Sequence, residues 1–145
     1  MKSLKFVALK PEHAKITPHL RQTDVDEIKA MTDLPPGVAV AFSIAHTERG
    51  FAAEVDGELI AIFGISNGLI WLVATDEINK YPITFYRLSK KIFSALRKGY
   101  DYLENYVDAR NTLSLRWLKW LGFTIEAPER INEGTFHHVW IKGSD

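Results

Sequence analysis

The stretch from residue 103 to residue 123 constrains the fold most, because it predicts a strand, a turn and a helix in close succession. Tyr106 and Val107 lie in a short run of mixed character that favours a strand. Asn111 offers a short polar side chain at a turn, and Thr112 is the expected cap of the following helix. Gly122 ends that helix, because a left-handed residue after the last turn costs glycine little. The apolar residues that recur at helical spacing are Leu113, Trp117, Leu118 and Leu121.

Helices are predicted between the first strand of the chain and the second. A strand over residues 4–10 ends at Pro11, which suits the first turn of a helix. Thr23 and Asp26 are spaced as in a capping box and predict the start of another helix. A further helix is expected over residues 38–46. The apolar faces expected to be buried are Val25, Ile28 and Met31 in the capped helix, and Val38, Phe42 and Ala45 in the helix after it.

The middle of the chain predicts a hairpin and then a central strand. Asp56 and Gly57 separate two alternating apolar runs, which is the pattern of a tight hairpin turn. Leu69–Ala74 is almost continuously apolar, as in a strand that is buried on both faces. The remaining elements are predicted as a helix over residues 82–98 and strands over residues 103–109, 124–126 and 136–142.

The order of these elements predicts the fold class. It is an α/β (α+β) arrangement in one domain over residues 1–145, with a mixed central sheet of six or seven strands flanked by helices. The strands over residues 69–74 and 103–109 should be adjacent and parallel. The helix over residues 82–98 should join them as a right-handed crossover.

Composition excludes several classes of function. Lys plus Arg equals Asp plus Glu, 18 against 18, so the net charge gives no case for a nucleic-acid or membrane partner. The absence of cysteine excludes a thiol nucleophile and thiolate metal sites. His13, His19 and His46 have no carboxylate at a ligand spacing, so no metal site is predicted. The first residues lack a long apolar run, which predicts a cytoplasmic protein without a signal peptide.

Part of the 103–123 stretch resembles a known signature. Asn111, a small residue three positions later (Ser114) and the run Leu121-Gly122-Phe123 resemble the C-terminal signature of the GCN5-related N-acetyltransferase (GNAT) superfamily. In that superfamily the asparagine follows the fifth strand, and the helix packs beside the pantetheine channel. The resemblance therefore implies the GNAT fold.

The longer stretch resembles a narrower group. Residues 103–123, together with residues 71–76, are similar to the gene-thirteen-like proteins of short-tailed bacteriophages and prophages. This resemblance implies an association with virion morphogenesis. It also implies phage structural proteins as partners, and a location in the host cytoplasm or in the virion.

The superfamily resemblance implies acetyl-CoA or another acyl-CoA as the cofactor. Its acyl and pantetheine part would enter between the ends of the strands over residues 69–74 and 103–109. The candidate cofactor-binding residues are Val73, Thr75, Asn111 and Ser114. Asn111 has two alternative roles, because its side chain either bonds a pantetheine amide or caps the turn.

The chain departs from the superfamily pattern at two places. The loop over residues 75–82, where the superfamily has a glycine-rich pyrophosphate loop, contains no glycine. Asp76 and Glu77 place negative charge there, and Pro82 lacks an N–H donor. The alternative is that these acids only favour the helix N-terminus. Leu118 stands where the superfamily often has a tyrosine that protonates the leaving thiolate.

The catalytic candidates are Asp76 and His138. His138 and its neighbour His137 point to opposite faces of the last strand, so they do not jointly hold a metal ion. Either one of them is a general base, or both are structural or exposed. Asp108 and Arg110 share a strand face and form either a binding cluster or a surface ion pair.

Two hypotheses follow from these residues. In the first, the chain is an acetyltransferase-like phage or prophage protein with a degenerate cofactor loop that acts in virion morphogenesis. In the second, it is an active acetyl-CoA-dependent N-acetyltransferase that modifies an amine on a protein or a small molecule.

Overall fold

Eight strands form one mixed sheet in the computed structural model, which describes residues 3–143. The strand order is β1-β2-β3-β4-β5-β8-β6, and β7 pairs with β8. The strands are β1 (Leu4–Ala8), β2 (Arg49–Val55), β3 (Glu58–Ser66), β4 (Leu69–Ala74), β5 (Tyr102–Asp108), β6 (Thr124–Ile125), β7 (Glu129–Ile131) and β8 (Gly134–Lys142). The helices are α1 (Gln22–Met31), α2 (Pro36–Ala45), α3 (Pro82–Leu96) and α4 (Thr112–Leu121), with 3-10 helices at Pro11–His19 and Asp76–Lys80.

The predicted fold class is confirmed, and the hairpin lies where its turn residues predict it. Asp56 and Gly57 have φ values of 52° and 81°, as a tight turn between antiparallel β2 and β3 requires. The eighth strand is β7, which lies in the segment predicted as the connection between the last two strands. Three residues are too few for a periodic pattern to mark a strand.

Strands β4 and β5 are adjacent and parallel, as predicted, and α3 lies between them in the chain. Their pairing is limited to one register position, Leu69 opposite Glu104. The strands therefore diverge toward their carboxyl ends. This divergence leaves backbone groups of both strands without partners in the sheet, and those groups need partners from elsewhere.

Helices cover both faces of the sheet, and β3 is therefore buried on both faces. Phe63 belongs to the larger apolar core, beneath α3 and α4, and its neighbour Ile62 belongs to a second core with residues of α2. Trp117 is the largest fully buried side chain, and its ring lies 5.5 Å from Phe63 and 6.1 Å from Phe85. Leu118 and Leu121 are buried beside it, which confirms the predicted buried face of α4.

Two helix predictions in the first third of the chain were wrong. Helix α1 begins at Gln22 without a side-chain cap, so Thr23 lies inside the helix and forms no capping box. Met31 is exposed, and the fully buried residue of α1 is Asp24. The apolar periodicity could not predict this, because a salt bridge and backbone bonds make burial of this carboxylate favourable.

The buried face of α2 was also assigned wrongly. Val40 and Ile44 are buried, whereas Val38 and Phe42 are exposed, the latter by 57%. The helix is apolar on nearly every side, so the sequence pattern did not select one face. The first helix after β1 is a 3-10 helix that contains Pro18, and α3 ends at Leu96, two residues before the predicted end.

None of the helices within residues 3–143 is both long enough and apolar enough to cross a membrane.

Candidate functional site between the diverging strands

Two carboxylates on one face of α1 bridge the gap between β4 and β5. Asp24 Oδ2 accepts a hydrogen bond from the backbone N–H of Ala74, at the end of β4, over 2.9 Å. Glu27 Oε2 accepts from the backbone N–H of Asp108, at the end of β5, over 3.1 Å. The two acids are three residues apart, so they lie side by side on the helix. They supply partners to backbone donors that the divergence of the strands leaves unpaired.

Arg21 neutralises one of these acids. Its guanidinium donates to both carboxylate oxygens of Asp24, at 3.0 Å and 2.7 Å, and both side chains are buried. The backbone N–H of Arg21 also donates to the carbonyl of Ala74 over 2.9 Å. The start of α1 is therefore fixed to the end of β4 by side-chain and backbone bonds together.

Asn111 connects the two carboxylates to α4. Its Nδ2 lies 3.1 Å from Glu27 Oε2 and 3.5 Å from Asp24 Oδ1. Its Oδ1 caps α4 by accepting from the backbone N–H of Ser114 over 3.3 Å, and Arg21 Nη2 lies 3.4 Å from the same oxygen. Asn111, and not Thr112, is the cap. We use the term polar network for the side chains of Arg21, Asp24, Glu27 and Asn111.

A cavity of about 140 Å³ lies beside the polar network, between the diverging strands. Helices α1, α2 and α4 contribute to its walls, together with β4 and β5. Its lining residues are Glu27, Ile28, Ala39, Val40, Ser43, Ile70, Trp71, Leu72, Val73, Asn105, Val107, Ser114, Trp117 and Leu118. Ser114 Oγ and Trp117 Nε1 are buried and have no hydrogen-bond partner among the described residues. The cavity is therefore small but partly polar.

Glu27 contributes a carboxyl group to the wall of this cavity, and the surroundings of that group change its pKa. The pKa of Glu27 is raised to about 7, chiefly by burial and to a smaller extent by the nearby charges of Asp24 and Asp108. The hydrogen bonds from Asn111 and from the Asp108 backbone act in the opposite direction. A carboxyl group with a pKa near neutrality exchanges a proton readily at physiological pH.

We expect Glu27→Gln to stabilise the protein at alkaline pH only. The folded-state pKa of Glu27 lies above its ordinary value, so its favourable contribution is present at low pH and is lost as pH rises through about 7. The free energy of unfolding should differ by less than ~0.5 kcal/mol near pH 4.5 and should favour the variant by ~2–3 kcal/mol near pH 8.5.

Urea unfolding of both proteins at the two pH values measures this difference. Glu129→Gln is the matched control, because Glu129 is an exposed carboxylate, and it should show no difference between the two pH values. A Glu27→Gln variant that is less stable than the parent near pH 8.5 would contradict the raised pKa.

The segment between β4 and α3 is a 3-10 helix, Asp76–Lys80. Thr75 caps it, because its Oγ1 accepts from the backbone N–H of Glu77 over 3.3 Å. The N–H of Ile78 donates to the Thr75 carbonyl, and the N–H of Tyr81 donates to the Ile78 carbonyl. These three N–H groups are thus used within the segment. An anion at this helix end would need free N–H groups.

Solved structures of acetyltransferases share this architecture. The acetyltransferase of the GNAT family from Streptococcus pneumoniae superimposes with a TM-score of 0.61 at 13% identity, over 98% of this chain and 100% of that one. The ribosomal-protein-S18-alanine N-acetyltransferase from Escherichia coli gives a TM-score of 0.65 at 16% identity, over 99% and 96%. Aminoglycoside acetyltransferase AAC(6′)-Ib in complex with coenzyme A gives 0.62 at 14%, over 97% and 95%. The chain has the GNAT fold.

This identity level shows the fold alone. No protein-family model and no curated protein sequence matches the chain. The GNAT fold agrees with the element order that the sequence predicts, including the parallel β4–β5 pair.

Within the GNAT fold, the predicted site residues fall into separate places. Val73 and Ser114 line the cavity. Asp76 and Asn111 border a separate groove of about 290 Å³, which Arg21 also lines. Thr75 is buried and caps the 3-10 helix. The capping role of Asn111 is observed, and the cofactor-binding roles of all four candidates stay predictions.

His138 lies in β8 and is not among the residues that line the cavity. Its Nε2 lies 2.8 Å from Glu104 Oε1, and its ring stacks on Tyr106 at 4.9 Å. Its role as a general base stays a prediction. No group of three or more potential metal-binding side chains occurs within the described part of the chain.

Asp108 and Arg110 form the predicted ion pair, with two hydrogen bonds of 2.9 Å and 2.6 Å between the side chains. The Asp108 side chain is buried and the Arg110 side chain is 59% exposed, so the pair lies at the edge of the surface. The Arg110 guanidinium holds the pKa of Asp108 below its usual value.

The residues that the sequence reasoning missed are Arg21, Asp24 and Glu27. Their spacing of three residues puts all of them on one helix face, and this regular charged stripe was the available signal. It received no weight because charged stripes on helices usually face solvent. The partners that make burial favourable come from β4, β5 and α4, which are far away in the sequence.

Proposed function

We propose that the protein is an acetyltransferase-like GNAT-fold protein of a short-tailed bacteriophage or prophage. It acts in virion morphogenesis as a non-enzymatic factor. The non-enzymatic part rests on the segment Asp76–Lys80, which follows β4 where the superfamily has its phosphate-binding loop. This segment is an acidic 3-10 helix with internal backbone hydrogen bonds.

The residues of this segment do not fit a coenzyme A pyrophosphate. The N–H groups of Glu77, Ile78 and Tyr81 donate within the segment. Asp76 and Glu77 would face the phosphates with like charge, and Pro82 provides no N–H at the first position of α3. Lys80 is the nearby cation, and it already pairs with Glu77 at 3.0 Å.

The gap between β4 and β5 also offers little room. The cavity of about 140 Å³ is well below the ~300–1,000 Å³ of common ligand pockets. The carboxylates of Asp24 and Glu27 already bond the N–H groups at both strand ends. In this proposal the polar network replaces a ligand with the protein's own side chains and keeps the fold rigid.

The phage part of the proposal comes from the similarity of residues 71–76 and 103–123 to the gene-thirteen-like group. It predicts phage structural proteins as partners, in the host cytoplasm or in the virion. Deletion of the coding sequence from its phage or prophage should reduce the yield of complete particles, counted by electron microscopy. Both the unaltered protein and Glu27→Gln should restore that yield.

Two outcomes of this experiment would overturn the proposal. Normal particle yield after deletion would exclude a role in morphogenesis. Restoration by the unaltered protein but not by Glu27→Gln, with both proteins folded and equally abundant, would show that the acid of the cavity is needed for chemistry.

A second candidate function is an active N-acetyltransferase that modifies an amine on a protein or a small molecule. The observation that favours it is Glu27, a carboxyl group with a pKa of about 7 that lines a cavity between the diverging strands. Such a group is suited to accept a proton from an amine. Acetyl-CoA or another acyl-CoA would be the acyl donor.

We expect Asp76→Gly combined with Glu77→Gly to improve coenzyme A binding. Two like-signed groups at ~6–8 Å cost roughly 2–3 kcal/mol at an effective dielectric near 20, which corresponds to about thirty- to a hundredfold in affinity. Isothermal titration calorimetry with coenzyme A measures the change. The matched control is Glu129→Gly with Glu133→Gly in the β7–β8 hairpin, which removes the same charge from exposed positions of another hairpin and should leave the affinity unchanged. An equal improvement in both variants would contradict the local explanation.

A further inference from the structure

The helices α3 and α4 carry a charge pattern that the net charge of the chain conceals. Residues 82–100 and residues 112–121 contain no Asp or Glu, although the chain has 18 of them. Seven Lys and Arg residues lie in these two segments: Arg87, Lys90, Lys91, Arg97, Lys98, Arg116 and Lys119. Residues 11–45 hold five acidic residues against three Lys and Arg. Positive charge is thus concentrated on the face of the sheet that α3 and α4 cover.

These basic side chains are free to meet a partner. All of them except Arg97 are exposed. None of the six exposed ones takes part in an ion pair with the residues that the structure describes. A surface of one sign without internal neutralisation attracts an oppositely charged molecule, and the expectation of no nucleic-acid partner rested on net charge alone.

A groove of about 590 Å³ lies in the middle of this surface. Arg87, Lys90 and Lys91 line it from α3, and Trp120 lines it from α4. Its other lining residues are Thr84, Leu88 and Ser94, so the groove contains no acid. The groove therefore combines cationic side chains with one large aromatic ring.

Trp120 is held in place while 45% of its surface stays exposed. Its Nε1 donates to the carbonyl of Tyr86 over 3.0 Å, and the Tyr86 ring stacks at 6.1 Å. The Nζ atom of Lys90 lies 5.0 Å from the indole centroid. Lys90 is a long side chain that a planar ligand can displace, and its charge then remains beside the ring. Arg116 is one turn before Trp120, on the same side of α4.

We propose that the α3–α4 groove binds single-stranded nucleic acid. The phosphates contact Arg87, Lys90, Lys91 and Arg116, and one base stacks on Trp120. A basic groove with an exposed aromatic ring is the arrangement by which proteins bind single strands without sequence preference. An acidic protein would need the cations but not the ring, and a duplex would keep its bases away from the ring. The proposal is independent of coenzyme A and goes beyond the role in morphogenesis.

Fluorescence anisotropy with a fluorescein-labelled thymidine 20-mer tests this proposal. Four phosphate contacts give a salt slope of about −3, so the affinity should fall about fiftyfold between 50 mM and 200 mM NaCl. Lys90→Glu combined with Lys91→Glu should weaken binding at least tenfold at 50 mM. The matched control is Lys15→Glu with Lys29→Glu, two exposed lysines of the opposite face, which changes the net charge equally and should alter the affinity less than threefold.

The role of Trp120 has its own variants. Trp120→Ala should weaken binding about fivefold or more, because one stacked base is lost. Trp120→Phe keeps a stacking face and should retain most of the affinity. Circular dichroism and thermal unfolding check that each variant is folded.

Four results would overturn the proposal. The first is that the labelled strand does not bind at 50 mM NaCl, and the second is that both lysine-pair variants lose the same affinity. The third is that polyglutamate competes as effectively as the unlabelled thymidine strand. The fourth is that a duplex binds more tightly than the single strand and that Trp120→Ala does not change the affinity. The second result would indicate net charge alone, the third an acidic protein partner, and the fourth backbone contacts without stacking.

Discussion

Leu118→Ala should lower the free energy of unfolding by ~2–5 kcal/mol. Leu118 is only 2% exposed and packs in the larger core beside Trp117. It also borders the cavity of about 140 Å³. Truncation therefore extends an existing void, and the cost of that void adds to the loss of buried apolar surface.

Chemical denaturation measures this loss. Leu34→Ala is the matched control, because Leu34 lies outside the helices and is exposed by 43%, and it should change stability by less than ~0.5 kcal/mol. A loss of well under ~1 kcal/mol for Leu118→Ala would mean that the buried face of α4 is misassigned.

Arg21→Ala should destabilise the protein by ~3–5 kcal/mol near pH 8. The substitution leaves the Asp24 carboxylate buried without its cation, and Asp24 cannot move to solvent without losing its bond to the Ala74 N–H. Arg21→Ala with Asp24→Asn should recover a large part of the loss, because the neutral amide oxygen can still accept from Ala74.

Lys80→Ala provides the comparison for Arg21→Ala. Lys80 also pairs with an acid three positions away, but the two side chains are 65% and 40% exposed. Its removal should change the free energy of unfolding far less than Arg21→Ala does, because solvent screens this exposed pair. If the two variants lose similar stability, the polar network is not the structural bridge between β4 and β5 that its geometry indicates.

Much of the fold could be predicted from the sequence because local signals and tertiary structure agree there. The Asp56–Gly57 turn, the apolar run of β4 and the left-handed Gly122 all lie where predicted. The prediction failed for α1 and α2, where periodicity was ambiguous or absent. Helix α2 is apolar on nearly all sides. Helix α1 buries Asp24, which is bonded by Arg21 nearby but also by Ala74 and Asn111, which are 50 and 87 residues away in the chain.

The candidate site could be predicted only in part. Asn111 and Ser114 lie at the start of α4, which follows β5 as predicted, and their roles in cofactor binding stay predictions. The acidic segment before α3 is a 3-10 helix. The sequence could not show that Asn111 is surrounded by Asp24, Glu27 and Arg21, since no local pattern connects α1 to α4. The raised pKa of Glu27 depends on the same long-range packing.

We propose that this chain has the GNAT fold but no working acetyl-CoA site. Isothermal titration calorimetry of acetyl-CoA into the unaltered protein tests it most directly. The acidic 3-10 helix and the occupied strand ends predict no saturable binding below roughly millimolar concentration, which corresponds to a binding free energy weaker than about −4 kcal/mol. Stoichiometric binding with a dissociation constant of about 1 μM, near −8 kcal/mol, would contradict the claim and favour the active N-acetyltransferase.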